Sequence, residues 1–536
     1  MENVGVPFSG VDFSHVDAIS GDLAHRISLL AILRAERNEF SHILGQKGTL
    51  GRPDYLLESL QSLPITLVSA PPCGHAGAAL PNTGTTMTTT AARPLQRILG
   101  LGFGLALAFG NTIGVGILRL PGTLAGALGD SHLIVLFWIL GGLYALLGAF
   151  AVAELAAMMP VAGGFYVYAR RAFGDRGGFI IGWSDWINNV SALAFQAIAA
   201  TSFLGALWAP AAAHNVAAAL SILSLFTGLH WVGLRLGRAL TGTISVSVGL
   251  MLLILVVGCF IATPVPALTA AALADSAASV PFMSMAMVAA IVMALRSVLV
   301  AFDGWYGPIY VAEESTDPAR TLPRAIIGGT LLVAALYLVI NIAFIRILPL
   351  PVLAASQLPA AAAASILLPR GGAEVVTVIS LVTVLSVMNA TLMVTPRILV
   401  GLSRDGLCTP KAAAVSVSGT PRFALGLSGA AAGVLILTGT FEQIMALCAV
   451  AFVFNYISAY TAVFLLRHRE PTLQRPYRAV GFPVSTAIVL LGSVLFLAAA
   501  VAGDPRSAII AAALLIASAP AYEFVVRRRR VAPATI

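Results

Sequence analysis

Long apolar stretches recur along the chain from residue 97 onwards, and short polar segments in which arginine is frequent separate them. Most stretches reach about 20 residues, the length that an α-helix needs to cross the hydrocarbon core of a bilayer. The pattern predicts an all-α polytopic membrane protein with twelve transmembrane helices. Their predicted ranges are 97–125, 131–159, 177–209, 213–232, 239–262, 284–313, 324–348, 372–402, 422–440, 442–466, 480–502 and 506–526.

The composition favours the same class of protein. Of the 536 residues, 58% are hydrophobic and only 10% are charged, whereas about a quarter of the residues in a soluble domain are charged. So few charges cannot cover a water-facing surface, which excludes an ordinary soluble enzyme. The basic residues form no aromatic-interleaved face of the kind that binds nucleic acid. We therefore expect a lipid bilayer and a small molecule as partners, with no nucleic acid, no cofactor and no metal.

The distribution of Lys and Arg predicts the orientation of the chain. Alternate connections between the predicted spans carry 21 of these residues, including the terminal run Arg527–Arg530. The opposite connections carry only four, which are Arg119, Arg346, Arg370 and Arg506. Because basic loops stay in the cytoplasm, we predict a multi-pass protein of the cytoplasmic (inner) membrane with both termini in the cytoplasm.

The first 86 residues differ from the rest, since they contain no apolar run long enough to span a bilayer. They are predicted to be a disordered or soluble extension. It is either a regulatory cytoplasmic tail or the product of a start codon assigned too far upstream. We favour the second interpretation, with Met87 as the true start, because Met87 lies only a few residues before the first span. The transporter domain is then 93–526, and 527–536 is a basic cytoplasmic tail.

Two predicted spans contain residues that interrupt a helix. The first span includes Gly110–Gly116, where three glycines accompany the polar residues Asn111 and Thr112. The sixth span includes the run Ala301-Phe302-Asp303-Gly304-Trp305, with an ionisable residue and a glycine in an apolar context. Unpaired backbone at such depth is tolerated only where it faces protein or a water-filled cavity.

The two interruptions are five spans apart, and this odd number turns the second unit upside down relative to the first. Interrupted helices at equivalent places in inverted repeats mark the binding site of many secondary transporters. The sequence therefore predicts a 5+5 inverted repeat, the leucine-transporter-like fold with broken helices 1 and 6. Residues 97–262 form repeat 1 and 284–466 form repeat 2, and 480–526 contains helices 11 and 12.

Helix ends at the interruptions give the predicted site its chemistry. A half-helix that begins near Val115 offers free N–H groups and a positive dipole end, which suit a carboxylate. The half-helices that end near Thr112 and Asp303 offer carbonyls, which suit an ammonium group. An α-amino acid zwitterion fits both. The predicted substrate-binding residues are Thr112, Ile113, Gly114, Val115, Gly116, Ile117, Val300, Ala301, Phe302, Asp303 and Gly304.

From Arg93 to Phe524 the chain resembles the amino acid-polyamine-organocation superfamily, most nearly its bacterial amino acid permeases and the related light-chain-type exchangers. The motifs that carry the resemblance are Gly110–Gly116 with Pro121-Gly122, Glu154 with Met159-Pro160, Phe302-Asp303-Gly304-Trp305, Glu313-Glu314, Asp317-Pro318, Leu322-Pro323-Arg324, Pro396-Arg397 and Arg475-Pro476-Tyr477-Arg478. The resemblance implies that backbone groups at both breaks bind the α-carboxylate and α-amino groups, and that the protein rocks between outward and inward states.

The sequence departs from the family pattern at three places. Val115 stands where many relatives have a serine, so a hydroxyl contact to the substrate carboxylate is absent. Val300 stands where many relatives have a bulky aromatic gate, so occlusion of the site is expected to depend on Phe302 or Trp305. The fifth span has no lysine, and Ser247 stands at about the position where some proton-coupled members have one. Lysine-based proton coupling is therefore not expected.

Three residues are candidates for a gate or for coupling. Trp305 is a candidate gate. Arg296 either forms a structural contact or selects an anionic or polar side chain, and Asp303 either carries a coupled proton or supports the helix break. Asp185, in the third span, is predicted to be structural.

Together these observations predict a secondary active transporter of amino acids, an exchanger or proton symporter, acting as a monomer or homodimer and not as an enzyme. The alternatives are a transporter of polyamines or other organic amines and a transporter-like nutrient sensor.

Overall fold

The structure is a computed structural model that describes residues 95, 97–114, 116–263, 285–356, 358–438, 441–503 and 505–531. All of them belong to the compact unit Thr89–Ile536. The predicted extension 1–86, the site residue Val115 and residues 532–536 of the predicted basic tail lie outside the described residues.

The described part of the chain is helical and contains no β-strand. Before residue 263 the α-helices are α1 Leu101–Thr112, α2 Gly116–Leu128, α3 Ser131–Met158, α4 Phe165–Leu207, α5 Ala209–Ala213, α6 Asn215–Val232 and α7 Leu234–Ile261. After residue 284 they are α8 Met285–Ala301, α9 Pro318–Ile347, α10 Leu350–Ala355, α11 Pro359–Leu367, α12 Gly372–Arg404, α13 Arg422–Thr438, α14 Phe441–Arg469, α15 Val484–Gly503, α16 Pro505–Ile516 and α17 Ser518–Val531. Two 3₁₀ helices, Gly307–Glu314 and Pro410–Ala413, lie between them.

Nine helical segments of the described chain are long and apolar enough to cross a membrane, and α1 with α2, which are bent by 45° at their junction, form a tenth. The prediction of an all-α, multi-pass membrane protein is confirmed. The helices at the sixth and ninth predicted spans, α8 and α13, have 17 residues each, at the short end of the range for a span.

The helix surfaces show which faces meet lipid. On α3, the large apolar residues Leu136, Ile139, Leu140 and Leu143 are each more than 40% exposed. Their i, i+3, i+4, i+7 spacing places them on one face of the helix. A continuous apolar face of this kind is unfavourable in water and suits the hydrocarbon core of a bilayer.

The interior is built around α4, α12 and α14. α4 packs along both α12 and α14, and these are the most extensive helix contacts in the molecule. Two thirds of the apolar windows of α12 and α14 are buried by protein. α1 packs on α9 and on α12, and α8 packs on α2 and α3.

α4 is longer than the predicted span 177–209 because the helix already begins at Phe165. The helix bends at Gly174, whose φ of 79° lies in the left-handed region that favours glycine. The sequence pattern missed the segment before this bend because it contains Arg170 and Arg171 and is too polar for a membrane span.

Arginine–carboxylate pairs join the arginine-rich ends of the helices. In the most buried pair, Arg397 of α12 makes two bonds with Glu314, Nε–Oε1 at 2.8 Å and Nη2–Oε2 at 3.2 Å. The other pairs at this end are Arg404 with Glu313, Arg170 with Asp175 and Asp405, Arg171 with Glu470, and Arg467 and Arg475 with Glu154. Apart from the pair Arg170–Asp175, which lies within α4, they connect segments that are distant in the sequence.

Arg397→Met should destabilise the protein strongly, because Glu314, whose side chain is 0% exposed, would keep a buried charge without its partner. Breaking a buried pair in this way costs about 3–5 kcal/mol. The measurement is the thermal unfolding midpoint of the purified protein in detergent. Arg171→Met is the matched control, since the Arg171 side chain is 54% exposed in its pair with Glu470 and exposed pairs contribute little. Equal shifts in the two variants would contradict the assigned role of Arg397.

Candidate functional site

The first interruption lies between α1 and α2. Ile113 leaves the helical conformation with φ −77° and ψ 95°, and its N–H still donates to the Phe109 carbonyl at 2.9 Å. The Thr112 hydroxyl turns back and donates to the Ala108 carbonyl at 2.7 Å. α2 begins at Gly116, so the carbonyl end of one half-helix and the N–H end of the next come close together.

The second interruption follows α8, which ends at Ala301. The N–H groups of Phe302 and Asp303 donate to the carbonyls of Val298 and Val300 at 3.1 and 3.2 Å. The chain then turns at Gly304, whose φ is 114°, and continues as the 3₁₀ helix Gly307–Glu314.

The two interruptions touch each other. The Asn111 side-chain amide donates to the Gly304 carbonyl at 2.9 Å. A Cβ atom placed on Gly304 would lie 2.3 Å from the Asn111 carbonyl oxygen, and one on Gly116 would lie 3.8 Å from the Cα of Ala301. The start of α2 therefore adjoins the end of α8, and glycine is required at position 304 both for its φ and for this close approach.

A tyrosine from α9 bridges the two helix ends. The hydroxyl of Tyr337 lies 3.1 Å from the carbonyl oxygen of Thr112 and 3.1 Å from that of Ala301. Its ring packs against Trp138 and Phe302, with centroid distances of 5.4 and 5.1 Å. α9 thus supplies a donor at the point where both half-helices expose carbonyls.

Asp303 lies at the second interruption and accepts from two tyrosines. The Tyr456 hydroxyl donates to Oδ1 at 2.6 Å and the Tyr306 hydroxyl donates to Oδ2 at 3.3 Å. No ion pair within the described residues includes Asp303. Neutral hydroxyl donors therefore hold this carboxyl group.

A polar chain leads from the first interruption towards α4. The Thr391 hydroxyl of α12 is 3.5 Å from Asn111 Oδ1, and Gln196 Nε2 of α4 donates to Thr391 Oγ1 at 3.3 Å. Gln196 Oε1 is buried and has no partner within the described residues. α4 and α12 thus bring polar side chains to the wall of the site.

The predicted site residues take different positions in this arrangement. The side chains of Ile113 and Ile117 are buried in the core, so only their backbone faces the interruption. Phe302 and Trp305 are each 2% exposed, and Trp305 stacks on Tyr456 at 5.7 Å. Arg296, by contrast, is partly exposed on α8 and forms no ion pair within the described part of the chain.

Sequence reasoning missed Tyr337, Tyr456, Thr391 and Gln196. Each is a polar or hydroxyl-bearing residue within a predicted span, and that alone could have marked them. Nothing in the spacing indicates that they converge on the two interruptions, because this depends on how α4, α9, α12 and α14 pack.

The family of this chain follows from sequence comparison. The sequence profile of the amino acid permease family matches residues 104–519. The chain therefore belongs to that family, within the amino acid-polyamine-organocation superfamily. The superfamily predicted from the motifs is confirmed, and membership identifies the chain as a transporter and not an enzyme.

Three individual relatives are similar over most of their length. The serine/threonine exchanger SteT of Bacillus subtilis is 25% identical over 445 residues, which cover 81% of this chain and 98% of the exchanger. The b(0,+)-type amino acid transporter 1 of Mus musculus is 25% identical over 80% of this chain and 88% of its own. The methylthioribose transporter of B. subtilis is 28% identical over 70% of this chain and 83% of its own.

Gly304→Ala should separate the two interruptions, because the new methyl group would collide with the Asn111 carbonyl and the backbone would be strained. We expect a lower thermal unfolding midpoint and loss of transport in proteoliposomes. The matched control is Gly102→Ala in α1, where a Cβ meets nothing within 4 Å. That change should leave transport intact and add up to about 1 kcal/mol of helix stability. A Gly304→Ala protein that transports normally would show that the close contact is dispensable.

Proposed function

We propose that the protein is a secondary active transporter that moves amino acids across the cytoplasmic membrane by alternating access. The observation that carries this proposal is the contact between two helix interruptions 193 residues apart, joined by Asn111 and Gly304. Membership in the amino acid permease family supports the class of substrate.

The proposed substrate site comprises Thr112–Ile117 and Val300–Gly304. The first turn of α2 has N–H groups without partners inside the helix, and with the positive end of the helix dipole they suit the α-carboxylate. The carbonyls at the ends of α1 and α8, including those of Thr112, Val300 and Ala301, suit the α-ammonium group. The Tyr337 hydroxyl bonds the carbonyls of Thr112 and Ala301. A bound ammonium group would either displace this hydroxyl or bond the same carbonyls beside it.

We further propose twelve spans within the transporter domain 93–526, arranged as inverted repeats 97–262 and 284–466, with 480–526 outside them. The helix contacts support this arrangement. The first interrupted span packs on α9, the second helix of the second repeat, and α8 packs on α3, the second helix of the first repeat. Such a reciprocal pattern is what a pseudo-two-fold axis would produce.

In the proposed orientation, both termini and the arginine-rich ends of the helices face the cytoplasm. The protein is proposed to lie in the inner membrane as a monomer or homodimer. The arginine–carboxylate pairs then close the cytoplasmic side. Glu313 and Glu314, which belong to the motifs of the family resemblance, are part of this network, and their partners are Arg404 and Arg397.

Exchange is one candidate mode of transport, because a relative that spans 81% of the chain is named a serine/threonine exchanger. Proton symport is the alternative mode. A polyamine or other organic amine is the alternative substrate, since it would use the carbonyls without the N–H groups. A nutrient sensor would need a folded regulatory domain, and the candidate region 1–86 lies outside the described residues.

Occlusion of the site is assigned to Phe302 and Trp305. Both rings are buried beside the second interruption, against Tyr337 and Tyr456 respectively. Val300, at the position of the aromatic gate in many relatives, is too small to cover the substrate.

Arg296 is the candidate selector of substrate side chains, two turns before the second interruption. Arg296→Gln should reduce exchange of acidic or polar amino acids at least tenfold relative to small neutral ones, because the attracting charge is lost. Competition by unlabelled amino acids against one labelled substrate measures this ratio. An unchanged ratio would assign Arg296 a structural role.

Counterflow into proteoliposomes tests the proposed function. Vesicles with the purified protein are loaded with single unlabelled amino acids or polyamines and then given the matching labelled compound. We expect accumulation of at least one amino acid that requires internal substrate. If folded wild-type protein accumulates only polyamines, the substrate assignment is wrong, and if it accumulates neither, transport itself is in doubt.

A further inference from the structure

Two carboxyl groups, the buried Asp185 and the half-buried Asp303, occupy the interior beside the proposed substrate site. Asp303 lies at the second interruption and Asp185 lies on α4. Between them, Tyr306 and Tyr310 of the second interrupted span have ring centroids 6.1 Å apart, and both pack on Phe165. No salt bridge within the described residues includes either acid.

The two acids differ in how their oxygens are bonded. Both oxygens of Asp303 accept from tyrosine hydroxyls. Asp185 receives three donors on Oδ1 alone, from Tyr310 at 2.7 Å, Asn189 at 3.2 Å and Asn455 at 3.3 Å. Its Oδ2 is buried and makes no hydrogen bond of good geometry within the described residues, and the residue is 0% exposed. The backbone N–H of Phe165, at the start of α4, lies beside the carboxyl group.

This arrangement is costly for an ionised Asp185. A buried carboxylate without a cation is unfavourable inside a membrane protein unless every oxygen is bonded. A proton on Oδ2 removes the charge and leaves the three donors on Oδ1 undisturbed. A buried hydroxyl without an acceptor carries a smaller penalty than a buried charge without a partner.

Other ligands suit the position less well. A sodium ion needs several oxygen ligands, and Oδ1 of Asp185 is already occupied by three donors. A substrate ammonium group needs space beside Oδ2, which the protein encloses. A proton needs neither.

Among the residues that the structure describes, no cationic side chain lies near Asp185 to replace the proton. The titratable groups that face this region are Tyr310 from the 3₁₀ segment, Asp303 and Tyr306 before it, and Cys448 and Tyr456 from α14. All are neutral or acidic. The Cys448 thiol is itself engaged with Asn188 Oδ1 at 3.0 Å.

We propose that Asp185 is the proton-binding residue of this transporter. It is protonated on Oδ2 in the conformation described here and ionised when the Gly307–Glu314 segment moves and water reaches Oδ2. Short 3₁₀ stretches within a span often mark such hinges. The assignment rests on the proposed function, and it gives Asp185 a role beyond the structural one predicted from the sequence.

Infrared spectroscopy tests the protonation state without a substrate. Wild-type protein in lipid at neutral pH should show the C=O stretch of a protonated, buried carboxylic acid. Asp185→Asn should remove this band. Asp303→Asn and Glu374→Gln, the latter an exposed carboxyl at the start of α12, should retain it. Absence of the band in wild-type protein, or its survival in Asp185→Asn, would overturn the assignment.

Transport then tests the role of the proton. Wild-type protein should take up its substrate into empty vesicles when an inward proton gradient is applied. Asp185→Asn should reduce this uptake at least tenfold and keep counterflow. Counterflow without gradient-driven uptake in wild-type protein would refute the proton role and leave the proposed function standing, whereas failure of counterflow itself would refute the function.

Two further outcomes are distinguishable. If Asp185→Asn loses exchange of cationic amino acids alone, Asp185 is a ligand of the substrate and not of a proton. If Asp185→Asn does not fold, Asp185→Glu replaces it, and its carboxylic acid band should shift in frequency. An unshifted band in Asp185→Glu would contradict the proposal.

Discussion

Backbone N–H and C=O groups have no water to bond with inside a bilayer, so a chain that leaves helical structure there must bond its backbone to protein or substrate. In this protein the two interruptions largely serve each other. Asn111 of the first bonds the carbonyl of Gly304 in the second, and Tyr337 reaches carbonyls of both. Three features depend on the contact between these two segments. They are the packing of α9 through Tyr337, the requirement for glycine at position 304 and the burial of the Phe302 side chain.

The charged groups of the protein are divided between two environments. At the arginine-rich end, carboxylates such as Glu154 and Glu314 are paired with guanidinium groups. In the interior, Asp185 and Asp303 are surrounded by hydroxyl and amide donors. An arginine partner fixes a carboxylate in its ionised form, whereas neutral donors permit either form. The interior acids are thus the ones whose charge would change in the proposed transport cycle.

The sequence was sufficient to predict the class of protein, because apolar length alone identifies a helix that crosses a bilayer. It also located both interruptions, since glycines beside polar residues are unfavourable in the middle of a continuous membrane-spanning helix. It did not show that Gln196, Thr391 and Tyr456 converge there. Convergence depends on the packing of helices more than a hundred residues apart, and an apolar run does not specify which face of a helix meets which neighbour. Asp185 was visible in the sequence, but its unpartnered oxygen was not.

The hydroxyl of Tyr337 has one hydrogen and two carbonyl oxygens at equal distance. If one interrupted span shifts relative to the other, the hydroxyl can switch its hydrogen bond from one carbonyl to the other and stay hydrogen-bonded throughout. In the proposed alternating-access cycle this hydrogen bond need not break before the spans move, which would lower the activation barrier of that movement. A phenylalanine at this position would therefore affect the rate of the conformational cycle more than the equilibrium between its end states.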